Sequence, residues 1–167
     1  LGIKVLKQFF GSDLAEKLST EGTKADLLIA NNVYAHVPDL NDFSLGIKKI
    51  LNKNGTVTIE FQHVLELIKN KQFDTIYHEH FSYLSLYTVA TIFKSVDLKV
   101  YDVEKLSTHG GSLRVYGCHE NDQKDVSESV SRILNEEKES GMQSINFYKD
   151  FQLVADKIKD DFYKFLL

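Results

Sequence analysis

The chain has 167 residues, 43% hydrophobic and 26% charged, with a formal net charge of −4. That length and mix suit one hydrophobic core in an ordinary soluble globular domain. The acidic excess sits in residues 119–167 while residues 1–118 balance, so nucleic acid is a poor partner for either part.

Cys118 is the only cysteine, which rules out an internal disulfide and points to a reducing compartment. No run of about 18 apolar residues is present to cross a membrane. Leu1-Gly2-Ile3-Lys4 is not a charged leader followed by an apolar signal segment. A cytoplasmic protein is the expectation.

Ile3 to Leu6 reads as a strand, and with Leu1 in place of a methionine the sequence reads as beginning inside a larger protein. Leu14, Ala15 and Leu18 predict a helix over Ser12 to Thr20, with Ser12 as N-cap and Gly22 as stop. Asp26 to Ala30 is an almost unbroken apolar run, as expected for a strand buried on both faces of a parallel sheet. It ends in Asn31-Asn32-Val33-Tyr34-Ala35-His36-Val37-Pro38-Asp39. Ligands of open α/β sheets bind at strand carboxyl ends, so amides and an imidazole there are binding candidates. Asn32 and His36 share a face if this stretch is helical. Turn-making and capping explain the same residue types.

Leu40, Phe43, Ile47, Ile50 and Leu51 mark an amphipathic helix ended by Asn54-Gly55, and Thr56 to Phe61 is the next buried strand, parallel to the one before. Gln62 to Lys71 carries Val64, Leu65 and Ile68 on one helical face, and His63 reads as a surface or packing histidine. Ser85 caps a helix with Leu86, Val89, Ile92 and Phe93 inward, and Leu98 to Val103 is a further strand. The Thr108-His109-Gly110-Gly111-Ser112-Leu113-Arg114 stretch enters an antiparallel strand over Ser112 to Cys118. Its two glycines allow close backbone approach to a ligand, and Ser112 and Arg114 are donors for an anion. A plain Gly-Gly hairpin turn has the same appearance. In the tail, Asp125-Val126-Ser127-Glu128 resembles a capping box before Val130, Ile133 and Leu134. Tyr148, Phe151, Ala155, Ile158, Phe162 and Phe165 then form an apolar seam. That seam leaves packing on the core and self-association both open.

The stretch with the densest chemistry is Phe73-Asp74-Thr75-Ile76-Tyr77-His78-Glu79-His80-Phe81-Ser82-Tyr83. An imidazole is a base near neutral pH, an adjoining carboxylate can fix its tautomer, and a phenol can donate to a developing oxyanion. Tyr77, Glu79 and His80 thus hold the parts for taking a proton from carbon beside a carbonyl. A structural loop is one alternative. A metal pair of His78 and His80 on a strand is another, although no cysteine or carboxylate at ligand spacing completes it.

Residues 31–39, Ile59-Glu60-Phe61, residues 73–83 and residues 108–116, in that order, resemble the sugar C-methyltransferase family. The resemblance implies a partial Rossmann-like, class I methyltransferase α/β sheet over residues 1–118, mostly parallel with one antiparallel strand, followed by a helical tail over 119–167. It implies S-adenosylmethionine as cofactor and methylation of carbon 3 in a nucleotide-linked 4-keto-deoxysugar. His80 is then the catalytic base, with Glu79 and Tyr77 beside it. Asn32, His36, His78, His109, Ser112 and Arg114 face the substrate, and Asn31, Asn32 and His36 the methionine end of the cofactor. No metal is implied. The family's zinc-binding domain, glycine-rich cofactor loop, acidic ribose partner and C-terminal α/β domain have no counterpart in these residues, so the resemblance is to the middle of the enzyme. A non-catalytic Rossmann-like remnant that only associates with other chains is the competing expectation.

Overall fold

The computed structural model describes residues 2, 3 and 5–167. A four-stranded sheet in the order β1-β2-β4-β3 organises it: β1 is Ala25–Asn31, β2 Leu51–Gln62, β3 Leu98–Leu106 and β4 Ser112–His119. β1 and β2 run parallel, and β4 pairs antiparallel with both β2 and β3. Three strands therefore point one way, and the reversed β4 lies between two of them. The Gly110-Gly111 turn explains this, because it is too short for a crossover and returns the chain beside the strand it leaves.

Before the sheet, α1 spans Ser12–Thr20, and Gly11 rather than Ser12 stands at its N-cap. The Ser12 amide instead donates to Asp42 Oδ1 at the start of α2, Leu40–Ile50, whose own N-cap Asp39 accepts from the Asp42 amide. The strand expected over Ile3 to Leu6 is not formed at Ile3, Val5 or Leu6, which are exposed and irregular; Lys4 lies outside the described residues.

One sheet face carries the core. Val57, Ile59 and Phe61 from β2 and Leu113 and Val115 from β4 meet Ile47 of α2 and Val89 and Phe93 of α4, which is Leu86–Ser95. Fully burying such side chains contributes about 1.5–3 kcal/mol each. α5, Glu128–Glu139, closes this core with Val130 and Ile133, so the first helix of the tail belongs to the same packed unit as the sheet. α6, Phe151–Leu166, has no buried residue.

The opposite sheet face is open at β1. Leu28 and Ala30 pack toward the core, whereas Leu27 and Ile29 stand 56% and 64% exposed. The reading of β1 as buried on both faces is thus corrected. Among the described residues β1 is an edge strand with one face exposed, and an apolar run cannot tell which of its two faces finds a partner.

Candidate active site

The carboxyl ends of β1 and β2 open on a cavity of about 170 Å³, lined by Asn32, His36, Phe61, Gln62, Thr75, Tyr77, His80, Tyr83 and His109 among others. After β1 the chain makes a single 3-10 turn, Tyr34–His36. Tyr34 is its anchor: the ring is fully buried, edge-on to Phe43 and Phe93, and its hydroxyl meets Ser44 Oγ at 2.6 Å. Burial pushes the Tyr34 phenol up to about 12. With Tyr34 pointing into the core, His36 two residues on turns toward the cavity.

Residues 73–83 form a 3-10 turn, Phe73–Thr75, and then irregular backbone rather than a strand. The Phe81 and Ser82 amides both donate to the Ala35 carbonyl, which ties this stretch to the turn carrying His36. The two imidazoles that result lie 4.7 Å apart, centroid to centroid. Each is held at Nδ1 by a backbone carbonyl: His80 by Thr75 at 3.0 Å, His36 by Glu79 at 2.8 Å. A carbonyl only accepts, so both Nδ1 atoms carry the proton and both Nε2 atoms are acceptors. The Tyr77 hydroxyl stands 3.4 Å from His80 Nε2, its ring tilted over the imidazole, and Tyr83 meets that ring edge-on.

The third wall is the Thr108–Gly110 turn. His109 has φ 52° and Asn32 φ 51°, left-handed backbone that costs a non-glycine residue energy. Their side chains meet, with the Asn32 amide donating to His109 Nε2 at 3.2 Å. The Gln62 amide bridges Gln72 Oε1 and the His109 carbonyl, and Gln72 in turn donates to the Gly110 carbonyl. Gly111, at φ 121°, lies where a Cβ would come 2.8 Å from Glu66 Cγ, so the close approach is to the protein's own α3, Val64–Lys69.

Of the residues singled out in the sequence, Asn32, His36, Tyr77, His80 and His109 converge on this cavity. Asn31, His78, Glu79, Ser112 and Arg114 are not in its lining. Glu79 and His78 are exposed, and it is the Glu79 carbonyl, not the carboxylate, that orients an imidazole. Ser112 is buried with its hydroxyl on the Thr108 carbonyl. Arg114 is committed to Glu60 at 2.9 Å and to Glu104 at 3.5 Å, and the Glu60 hydrogen bond raises the guanidinium further above its already basic range. Arg114 and Glu60 are register partners on β4 and β2, and neither is in the cavity lining. Gln62, Thr75 and Tyr83 were missed. Gln62 was legible as the last residue of a strand whose carboxyl end opens on the cavity; the Thr75 carbonyl carries no side-chain signal. Among the described residues no cluster of three or more His, Cys, Asp or Glu is placed to hold a metal, and no helix is long and apolar enough to cross a membrane.

Residues 107–167 match the C-methyltransferase C-terminal domain family, which corrects the expectation that the family's C-terminal domain has no counterpart in these residues. Over 158 residues the chain is 32% identical to C-methyltransferase NovU of Streptomyces niveus, covering 95% of this chain and 38% of NovU. The chain thus spans well under half the length of that curated relative. Among solved structures, a SAM-dependent methyltransferase from Anabaena variabilis superposes with a TM-score of 0.50 at 9% identity, over 66% of this chain and 55% of that one. Magnesium protoporphyrin IX methyltransferase from Synechocystis, solved with bound SAH, gives 0.45 at 12% identity over 59% and 46%. The Anabaena likeness shows the class I methyltransferase fold.

Proposed function

We propose, from the premise that this chain belongs to the C-methyltransferase family as a segment of one of its members, that it carries the proton-abstracting part of an S-adenosylmethionine-dependent enzyme acting on a nucleotide-linked keto-deoxysugar. One observation carries the reading: His80 is anchored through Nδ1 on the Thr75 carbonyl, so its Nε2 faces the cavity as a base.

The residues present fit one end of that cofactor. Asn32 and His36 stand at the carboxyl end of β1, where they would meet its methionine end, but among the described residues no carboxylate lines the cavity to hold a ribose. When bound, the cofactor supplies an electrophilic methyl group, so the carbon to be methylated must become a nucleophile. His80 Nε2 takes the proton from the carbon beside the ketone, and the C–H electron pair passes into the enolate. The resulting imidazolium keeps its Nδ1–H on the Thr75 carbonyl, whose dipole favours the positive charge. The Tyr77 hydroxyl, poised beside Nε2 before substrate arrives, turns to donate to the enolate oxygen, with the free Asn32 amide hydrogen as second donor. His36, with Nδ1 occupied, offers only an acceptor and orients a sugar hydroxyl.

The test is methyl transfer from methyl-labelled S-adenosylmethionine to a nucleotide-linked 4-keto-deoxysugar by a protein containing this chain. Label on the ring carbon adjacent to the ketone is expected. Label on oxygen, or no transfer to any keto-sugar, contradicts the reading, and the absence of transfer favours the non-catalytic remnant.

A further inference from the structure

Outside the cavity the described residues hold a second ionisable cluster that the reaction does not use. His63 and Glu137 are buried, with 0% and 1% of their surface exposed, and His63 Nε2 lies 2.8 Å from Glu137 Oε1. Glu137 belongs to α5. Its two oxygens also accept the Leu86 amide at 2.6 Å and the Tyr87 amide at 2.9 Å, the first free N–H groups of α4. Three donors converge on one carboxylate, so His63 Nε2 must carry its proton. His63 Nδ1 is buried with no hydrogen-bond partner.

The backbone of the same residue joins two walls of the cavity. The His63 amide donates to the Gly111 carbonyl at 3.0 Å, directly after His109-Gly110, and the Val64 amide donates to the Leu84 carbonyl at 3.0 Å, directly after Tyr83. Gln62, the preceding residue, lines the cavity and donates to the His109 carbonyl. Tyr83 rests edge-on against the His80 ring.

We propose that His63 and Glu137 are a positioning pair through which α5 fixes the His109 turn and the Tyr83 wall, and thereby the setting of His80. The warrant is a contiguous set of hydrogen bonds and packed rings, from Glu137 to His63, to Gly111 and Leu84, and on to His109 and His80. A His63 drawn away from Glu137 carries both walls with it, because its amide and the next one are their attachments. An apolar pair would fill the same space, but it would leave the Leu86 and Tyr87 amides without acceptors.

The proposal is tested with two substitutions that differ in reach. His63→Gln places an amide N–H near the position of Nε2 and keeps the bond to Glu137; His63→Asn is one carbon shorter and loses it. In nitrogen-15 histidine spectra, His63→Gln is expected to leave the His80 and His109 ring signals where wild type has them, and His63→Asn to move both. His119, at the far end of β4, should stay fixed in either. Removal of the substrate proton should fall about tenfold in His63→Asn alone, since small misplacements of a catalytic group are costly. If His63→Asn does not fold, Glu137→Asp withdraws the acceptor by one carbon and is expected to move the same two signals. The proposal is overturned if the shorter side chain leaves His80 and His109 unmoved, or if Gln and Asn move them alike. The ring signals need no substrate, so failure of the reaction assignment would show as absent proton removal in wild type without touching this comparison.

Discussion

Two settings of the same side chain lie on either side of the end of β2. His36 and His80 are partly exposed, and each gives its Nδ1 proton to a backbone carbonyl; His63 is buried and gives its Nε2 proton to Glu137. The partner decides the use. A main-chain carbonyl reached at Nδ1 leaves the more projecting nitrogen with a lone pair toward the cavity, which is the state a base needs. A carboxylate reached at Nε2 in the interior spends that nitrogen on architecture. Neither role follows from the histidine itself, and the difference lies in what the surrounding backbone offers.

The sharpest way to break this comparison is His80→Asn. The asparagine amide can still reach the Thr75 carbonyl while the projecting nitrogen is gone, so the anchor survives and the base does not. A loss of about 10²- to 10⁴-fold in kcat is expected, with cofactor affinity changed little. A fall in affinity with kcat preserved would place His80 in binding.

The next effect concerns the anchor behind His36. The Tyr34 phenol titrates near 12 in the fold against an ordinary value of 10.0, so its contribution to stability is complete below about pH 10 and is lost as pH rises through 12. Linkage over that interval amounts to about 2–3 kcal/mol. Tyr34→Phe should flatten the alkaline limb of the stability curve, measured by urea unfolding between pH 9 and 12, wherever the profile of wild type falls. Equal slopes would mean that the hydroxyl ionises elsewhere or not at all.

His36→Asn preserves a donor to the Glu79 carbonyl and removes the acceptor in the cavity. About a tenfold loss in kcat/KM is expected, carried mostly by KM, because in the proposed reaction the group orients substrate rather than moving its proton. The smallest effect sharpens the contrast most. Glu79→Gln should alter kcat by less than about threefold, since the carbonyl that holds His36 is retained and the carboxylate is outside the cavity lining. A hundredfold loss would restore the carboxylate to the mechanism.

Much of this arrangement was legible in the sequence, and the parts that were not share a cause. The runs Asp26 to Ala30 and Thr56 to Phe61 announced adjacent parallel strands, and the stretch 31–39 was expected at a strand carboxyl end, where the stretch 73–83 joins it. Periodicity reports which side chains are apolar. It does not report that β4 inserts between β2 and β3, or that Leu27 and Ile29 stand exposed, because both depend on elements distant in sequence. In the site, imidazoles and a phenol were visible as residue types, whereas the Thr75 and Glu79 carbonyls that orient them are backbone atoms present at every position. Arg114 looked free to bind an anion, but Glu60, fifty-four residues earlier, had already claimed it across the sheet. Likewise Glu137 lies seventy-four residues beyond His63. A pairing of that range leaves no local pattern.

The central claim is that His80 Nε2 removes a proton from the carbon beside the substrate ketone. Its most direct test is isotope exchange in deuterated buffer without cofactor, followed by proton NMR of a nucleotide-linked 4-keto-deoxysugar. Wild type is predicted to lose the signal of the hydrogen on the carbon next to the ketone as deuterium enters, while His80→Asn retains it over the same time. Exchange by the variant at the wild-type rate would contradict the assignment and move the base to another residue of the cavity.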